Sequence, residues 1–189
     1  MTDTAGAPAP SGEVYGEHVF SHLRPDEAER LEALAGALDE NTFRRLERLP
    51  LREDWHCLEI GAGLGTTARW LAARCSRGRV VATDIDTRLF PDTGSRNGWE
   101  VREHDVTRDE FPAGSFDLVH ARWVFSHLRS RDADLVRVVR WLKPGGLARR
   151  RGPGPVPAGV LTRPALPQGR PRHVRRRAGA DRHRLHVGP

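Results

Sequence analysis

Nine consecutive residues constrain this chain most: Cys57-Leu58-Glu59-Ile60 runs directly into Gly61-Ala62-Gly63-Leu64-Gly65. A short apolar strand that ends in alternating glycines has to turn sharply. The glycines let the backbone approach a ligand, with the N–H groups of a following helix facing it. That helix is written in Ala68, Leu71, Ala72 and Cys75, at i, i+3, i+4 and i+7, with Thr66 and Thr67 as its expected caps. Gly78 closes it. Further strands follow at 80–84, at 99–105 and at 116–121. A helix over 132–142 then shows Leu135, Val138, Val139 and Leu142 on one face, closed by Pro144-Gly145-Gly146. Strands alternating with helices at these spacings predict an α/β domain built on a parallel sheet.

Upstream, residues 1–14 read as a flexible leader. They are polar and rich in Pro, Ala and Gly, with no basic start or apolar stretch of a signal peptide. After Pro25, the acidic residues Asp26, Glu27 and Glu29 favour a helix N-terminus. Leu31, Leu34, Ala35 and Leu38 give that helix an apolar face, and a short second helix is expected from Thr42 to Leu49. The two form a helical cap over 15–50, ahead of a core over 55–148. No apolar run reaches the ~18–20 residues of a membrane span. Cys57 and Cys75 fall in a strand and a helix, which fits packed, reduced thiols and a cytoplasmic protein rather than a disulfide framework or a metal site.

The net charge of +6 hides two unlike parts. Residues 149–189 carry 11 of the 31 basic residues and one of the 25 acidic ones, a charge of +10 that leaves 1–148 at −4. Of the basic residues only Lys143 is a lysine. After Gly146 neither a period of 2 nor of 3.6 can be found, and half of the 14 prolines lie between 153 and 189. The expectation is a sheet incomplete after the fourth strand, followed by a disordered Arg/Pro/Gly-rich tail over 149–189. Such a tail would attract phosphates non-specifically, but it lacks the interleaved aromatics of a nucleic-acid stacking platform.

Two strand-end carboxylates sharpen the chemistry. Asp84 lies 19 residues past Gly65, where a carboxylate can accept both hydroxyls of a ribose. Asp105 ends the third strand, placed to accept from an adenine amino group. Taken in order, Glu59 to Gly65, Val81 to Asp86, His104-Asp105-Val106, Phe116 to Val119 and Leu142 to Gly146 resemble the motifs of class I S-adenosylmethionine-dependent methyltransferases, specifically the small-molecule, ubiquinone-biosynthesis-like branch. The resemblance covers about Tyr15 to Gly146 and implies a Rossmann-like fold. It implies that Glu59, Gly61, Ala62 and Gly63 line the methionine and ribose side of S-adenosylmethionine. By the same resemblance Asp84 holds the ribose, Ile85 packs on the adenine, and Asp105 and Val106 read the adenine edge. Ala121 and Arg122 cover the methionine part, and Tyr15 matches an N-terminal aromatic that touches the cofactor.

The implied function is methyl transfer to a small molecule on O, N or C, with no metal. A dinucleotide dehydrogenase fits less well. The turn reads G-x-G-x-G followed by Thr66, without the third glycine of that fingerprint, and the single tyrosine lies upstream of the first strand. No catalytic base stands out. His120 and His127 lie near the expected cofactor edge, and Trp123 and Phe125 are candidates to face a substrate. A non-catalytic cofactor- or RNA-binding remnant is the alternative reading.

The resemblance carries one more expectation. Family members continue past Pro-Gly-Gly with residues such as Trp, Leu, Val, Val, Glu, Asp, Pro, Asp, Pro, Phe, Pro. Written in GC-rich codons with one T inserted after the glycine codon, that text translates as Leu147 to Pro157 of this chain. Residues from about Leu147 onward are therefore expected to come from a shifted reading frame, with activity reduced or lost.

Overall fold

The computed structural model describes residues 25–90, 99–151 and 159–164. Three helices and six strands occupy them: α1 (Glu27–Leu46), β1 (His56–Ile60), α2 (Thr66–Arg74), β2 (Arg79–Asp84), β3 (Trp99–Glu103), β4 (Phe116–Arg122), α3 (Arg131–Trp141), β5 (Leu142–Arg151) and β6 (Gly159–Thr162). The strands form one sheet in the order β3-β2-β1-β4-β5-β6. The first five are parallel, and β6 returns antiparallel along β5. The α/β reading of the sequence holds. Strand order reverses between β1 and β4, and ligands of open α/β sheets settle at the carboxyl ends of the strands at such a reversal.

The strands are apolar because both faces of the sheet are covered. On one face, Leu58, Ile60, Val81, Val119 and Ala121 pack with Val138 and Trp141 of α3. On the other, Cys57, Val80, Ala82 and Leu118 pack with Leu46 of α1 and with Ala68, Leu71 and Cys75. The two cysteines are buried and free, their sulfurs 3.6 Å apart. Among the described residues no helix is long and apolar enough to cross a membrane.

Four expectations need correction. The sheet does not stop at four strands: β5 pairs with β4 from Phe116↔Leu142 to Arg122↔Arg151, and β6 covers β5. An open edge of β4 would leave a row of backbone N–H and C=O groups without ladder partners, and pairing there asks nothing of the side chains. Gly145, at φ +81°, lets the chain turn out of α3 into that edge. Consequently the tail does not begin at 149, since 149–151 and 159–162 lie in strands; the rest of 152–189, apart from residues 163 and 164, falls outside the described residues, as do residues 1–24. The two N-terminal helices are one: the backbone ladder runs unbroken from Glu27 to Leu46, and Thr42 turns its hydroxyl back onto the Leu38 carbonyl (2.9 Å) instead of opening a second helix. Finally, Gly65 caps α2 in a left-handed conformation (φ +74°), and neither Thr66 nor Thr67 supplies the cap.

Two tests follow from the packing. Gly78 lies against the Trp55 carbonyl, and an added Cβ would stand 2.0 Å from that oxygen. The obstacle is backbone and cannot rotate away. Gly78→Ala is expected to cost about 1–3 kcal/mol or more, read as a lower urea midpoint at unchanged slope.

His104 is buried with neither ring nitrogen hydrogen-bonded, stacked on Phe111 (4.6 Å) and edge-on to Trp141 (5.7 Å). Burial holds its pKa below the ordinary histidine value, and the nearby Asp109 opposes this only in part. The folded protein therefore keeps the ring neutral where the unfolded chain protonates it. Stability should fall as pH drops below about 6.5, the unfolded value. Melting temperatures from pH about 7.5 down to about 5 check this, and His104→Phe should flatten the decline.

Candidate functional site

At the carboxyl end of β1 the 61–65 loop turns through three glycines with positive φ: Gly61 (65°), Gly63 (56°) and Gly65 (74°). A side chain is excluded at Gly61, where an added Cβ would approach Val124 Cγ2 to 2.2 Å. The loop is tied down at several points. Ala62 N–H donates to the Thr83 carbonyl (2.9 Å), and Thr83 Oγ1 donates to the Glu59 carbonyl (3.0 Å). Asp84 Oδ2 accepts from Gly63 N–H and Oδ1 accepts from Ile85 N–H, each at 2.8 Å. One carboxylate thus fixes the loop to the end of β2.

Above the loop lies a cleft of about 150 Å³. Gly61 to Leu64, Thr66, Asp84 and Ile85 form its floor, Arg122, Trp123, Val124 and His127 one side, and Leu31, Leu34, Ala35 and Leu38 of α1 its roof. Arg122 ties the roof to the sheet: its guanidinium donates to Asp39 (2.7 Å) and to Thr42 (3.2 Å), both on α1. Trp123 adopts φ +70°, a strained conformation for a bulky residue, and is 40% exposed. Ser130 opens α3, its hydroxyl donating to Asp134 (2.7 Å), so the 123–130 segment is held at both ends.

Six of the expected cofactor residues meet at this cleft: Gly61, Ala62, Gly63, Asp84, Ile85 and Arg122. Four others do not line it. Glu59 is buried beneath the loop, its carboxylate 2.6 Å from His120 Nδ1 in the interior of the sheet. Ala121 is buried in the core beside Val106, whose carbonyl accepts from Arg137 (2.8 Å). Asp105 is turned into its own loop, accepting from Thr107 N–H (2.8 Å), the Thr107 hydroxyl (2.6 Å) and Arg108 (2.8 Å). Partial burial pushes its carboxyl up, but those hydrogen bonds outweigh it and hold the pKa below the usual range. Tyr15 lies outside the described residues.

Of the two histidines, His120 is sequestered with Glu59, whereas His127 borders the cleft. Burial and the charge of Arg30 both push the His127 imidazole toward its neutral form. Trp123 borders the cleft, while Phe125 is buried in the core. The α1 roof was missing from the sequence reading. Its stripe at i, i+3, i+4 and i+7 carries the ordinary signature of a core-facing helix, and only the half-buried state of Leu31, Leu34, Ala35 and Leu38 reveals a cavity beneath.

Residues 58–149 match the methyltransferase-domain family. Motifs, sheet order and this match together make the chain similar to the class I S-adenosylmethionine-dependent methyltransferases. Methyltransferase str3 of Strobilurus tenacellus is 31% identical over 121 residues, covering 64% of this chain and 43% of that protein. Phosphoethanolamine N-methyltransferase 3 of Arabidopsis thaliana is 27% identical over 112 residues, 57% of this chain and 23% of that one. The chain therefore spans less than half the length of these curated relatives. Among solved structures, the putative methyltransferase in complex with the Trm112 activator of Haloferax volcanii superposes with a TM-score of 0.58 at 22% identity, covering 65% of this chain and 55% of that one. One from Methanococcus maripaludis gives 0.56 at 18% identity, covering 67% and 63%. At such identities the likeness concerns the fold.

Proposed function

We propose that the cleft above the 61–65 loop binds S-adenosylmethionine and that the chain transfers its methyl group to a small molecule. The carrying observation is the Asp84 carboxylate, fixed by Gly63 and Ile85 at the wall of a glycine-floored cleft. The residues fit such a ligand. Backbone at Gly61 and Gly63 leaves no side chain in the way, Asp84 offers acceptor lone pairs to ribose hydroxyls, and Ile85 offers an apolar surface to a base. Bound there, S-adenosylmethionine supplies a methyl group on a positively charged sulfur, open to in-line displacement.

For such a reaction the protein mainly positions and dries. Leu31, Leu34, Ala35 and Leu38 exclude water from above, and Arg122 with Asp39 and Thr42 keeps that roof seated. His127 lines the cleft and is pushed toward its neutral form, which would suit it to take a proton from an acceptor hydroxyl or amine. Glu59 acts from beneath the loop through its bond to His120. Asp105 and Val106, whose acceptors are taken up by Thr107, Arg108 and Arg137, would reach an adenine edge only if their loop opened.

Isothermal calorimetry with S-adenosylmethionine and S-adenosylhomocysteine tests this reading. One-site binding of both is expected, with NADH binding at least tenfold more weakly. Tighter binding of NADH, or no binding of either sulfur ligand, overturns it. Gly61→Val adds bulk where Val124 already crowds and strains a φ of +65°. It should abolish the binding signal while the protein still melts cooperatively.

A further inference from the structure

A second cavity, of about 370 Å³, lies at the carboxyl-terminal end of α1. Asn41, Arg44 and Arg45 line it from the last turns of α1, Arg48 from the turn just after the helix, and Arg149 of β5 completes the wall. Among the described residues no carboxylate lines it. Two of the cations have partners on their own helix: Arg44 donates to Glu40 and Arg45 to Asn41 (2.9 Å). The side chains of Arg48 and Arg149 make no hydrogen bond or ion pair among the described residues. The contrast lies next door, where Arg122 is neutralised by Asp39 at 2.7 Å. Burial, and then the charges of Arg45, Arg151 and Arg48, hold the Arg149 pKa below the ordinary arginine range.

A concave site in which four guanidinium groups meet one carboxylate partner, Glu40 on Arg44, is short of negative charge. The forks match oxyanions, and several donors converging from two elements exceed what the two oxygens of one carboxylate can accept. At ~30 Å³ per water the cavity holds on the order of a dozen waters, room for more than a single phosphate. It lacks the aromatic side chains on which nucleic-acid bases stack, and it is a bounded pocket and not a track. We propose that this arginine pocket binds a small multiply charged phosphate-type anion of pyrophosphate size, at a site separate from the methyl-transfer cleft. The proposal does not depend on the cofactor reading.

Titration of the full chain with sodium pyrophosphate, followed by calorimetry and by melting temperature, tests it. Sodium chloride at matched ionic strength serves as reference. Saturable binding and a raised melting temperature are expected from pyrophosphate alone, and ADP should bind comparably if the diphosphate is the recognised part. Preference for ADP by more than tenfold would place recognition in the nucleoside and overturn the proposal.

Arg149→Gln and Arg48→Gln should each weaken pyrophosphate binding at least tenfold, while Arg69→Gln, on the exposed face of α2, leaves it unchanged. Arg48 is exposed in the turn just after α1, so its variant tests the site even if Arg149→Gln does not fold. Binding of S-adenosylhomocysteine should survive Arg48→Gln, which separates this site from the first. Equal pyrophosphate binding in wild type and Arg48→Gln, or a stronger response to a single-stranded oligonucleotide than to pyrophosphate, overturns the assignment.

Discussion

Asp84→Ala should weaken S-adenosylhomocysteine binding at least tenfold, and the protein should still fold. The carboxylate has two tasks, both lost in the variant. It anchors the glycine loop through Gly63 N–H and fixes the chain after β2 through Ile85 N–H. It also presents negative charge at the cleft wall, where ribose hydroxyls would be bound. Hydrogen bonds to a charged group contribute about 1.5–3 kcal/mol each, and a tenfold change corresponds to about 1.4 kcal/mol. Losing one ligand contact suffices for the expected effect, and loosening the loop adds to it. Asp84→Asn separates the tasks: its one carbonyl oxygen can keep the Gly63 bond but brings no charge. Its affinity should fall between those of wild type and the alanine variant. Calorimetry on the three proteins, with thermal melts alongside, reads this directly. An unchanged affinity in Asp84→Ala would remove the residue from the site.

That prediction rests on a part of the molecule the sequence discloses almost completely. The turn from β1 into α2 is legible because only glycine tolerates its backbone angles, so chemistry and conformation are written in the same residues. The strands that flank it are apolar runs bounded by polar turns. Asp84 is legible for a similar reason, standing at the one place where a strand end faces the loop. Asp105 shows the limit of that logic. A strand-end carboxylate can equally cap its own turn, and here Thr107 and Arg108 provide nearer partners than any ligand.

β5 was hidden for another reason. Its pairing with β4 and β6 is carried by backbone groups, which leave no mark on the sequence, while Arg149, Arg150 and Arg151 erase the hydrophobic alternation that normally announces a strand. The joining of the N-terminal helices is not legible in the sequence because Asp39, Glu40, Asn41 and Thr42 resemble a cap. In the fold the helix runs through them, and Thr42 bonds back to Leu38.

Exchanging residues 147–151 for the Trp-Leu-Val-Val-Glu of the alternate frame should raise the melting temperature by about 5 °C or more. The alternation of β5 explains why. Ala148 packs with Trp141 and Val138 on the α3 face, and Arg150 is buried at 6% exposure. Leu147 packs with the α1 and α2 side, where Arg149 lines the arginine pocket and Arg151 reaches Thr42 (3.3 Å). Burial, then Arg45 and Arg122, hold the Arg151 pKa below its ordinary range, so this strand brings cations to cations. Ala148→Leu and Arg150→Val would put apolar side chains at two buried positions, where each fully buried one contributes about 1.5–3 kcal/mol. Arg151→Glu would turn repulsion from Arg45 and Arg122 into attraction. For a chain of this size each kcal/mol moves the midpoint by about 2–4 °C. The same exchange removes Arg149 and should abolish the pyrophosphate response, whereas S-adenosylhomocysteine binding should persist or strengthen. A melting temperature equal to or below that of the parent would mean that the arginines suit β5 as they stand. Resequencing the gene would then be expected to show a clean open frame through Leu147.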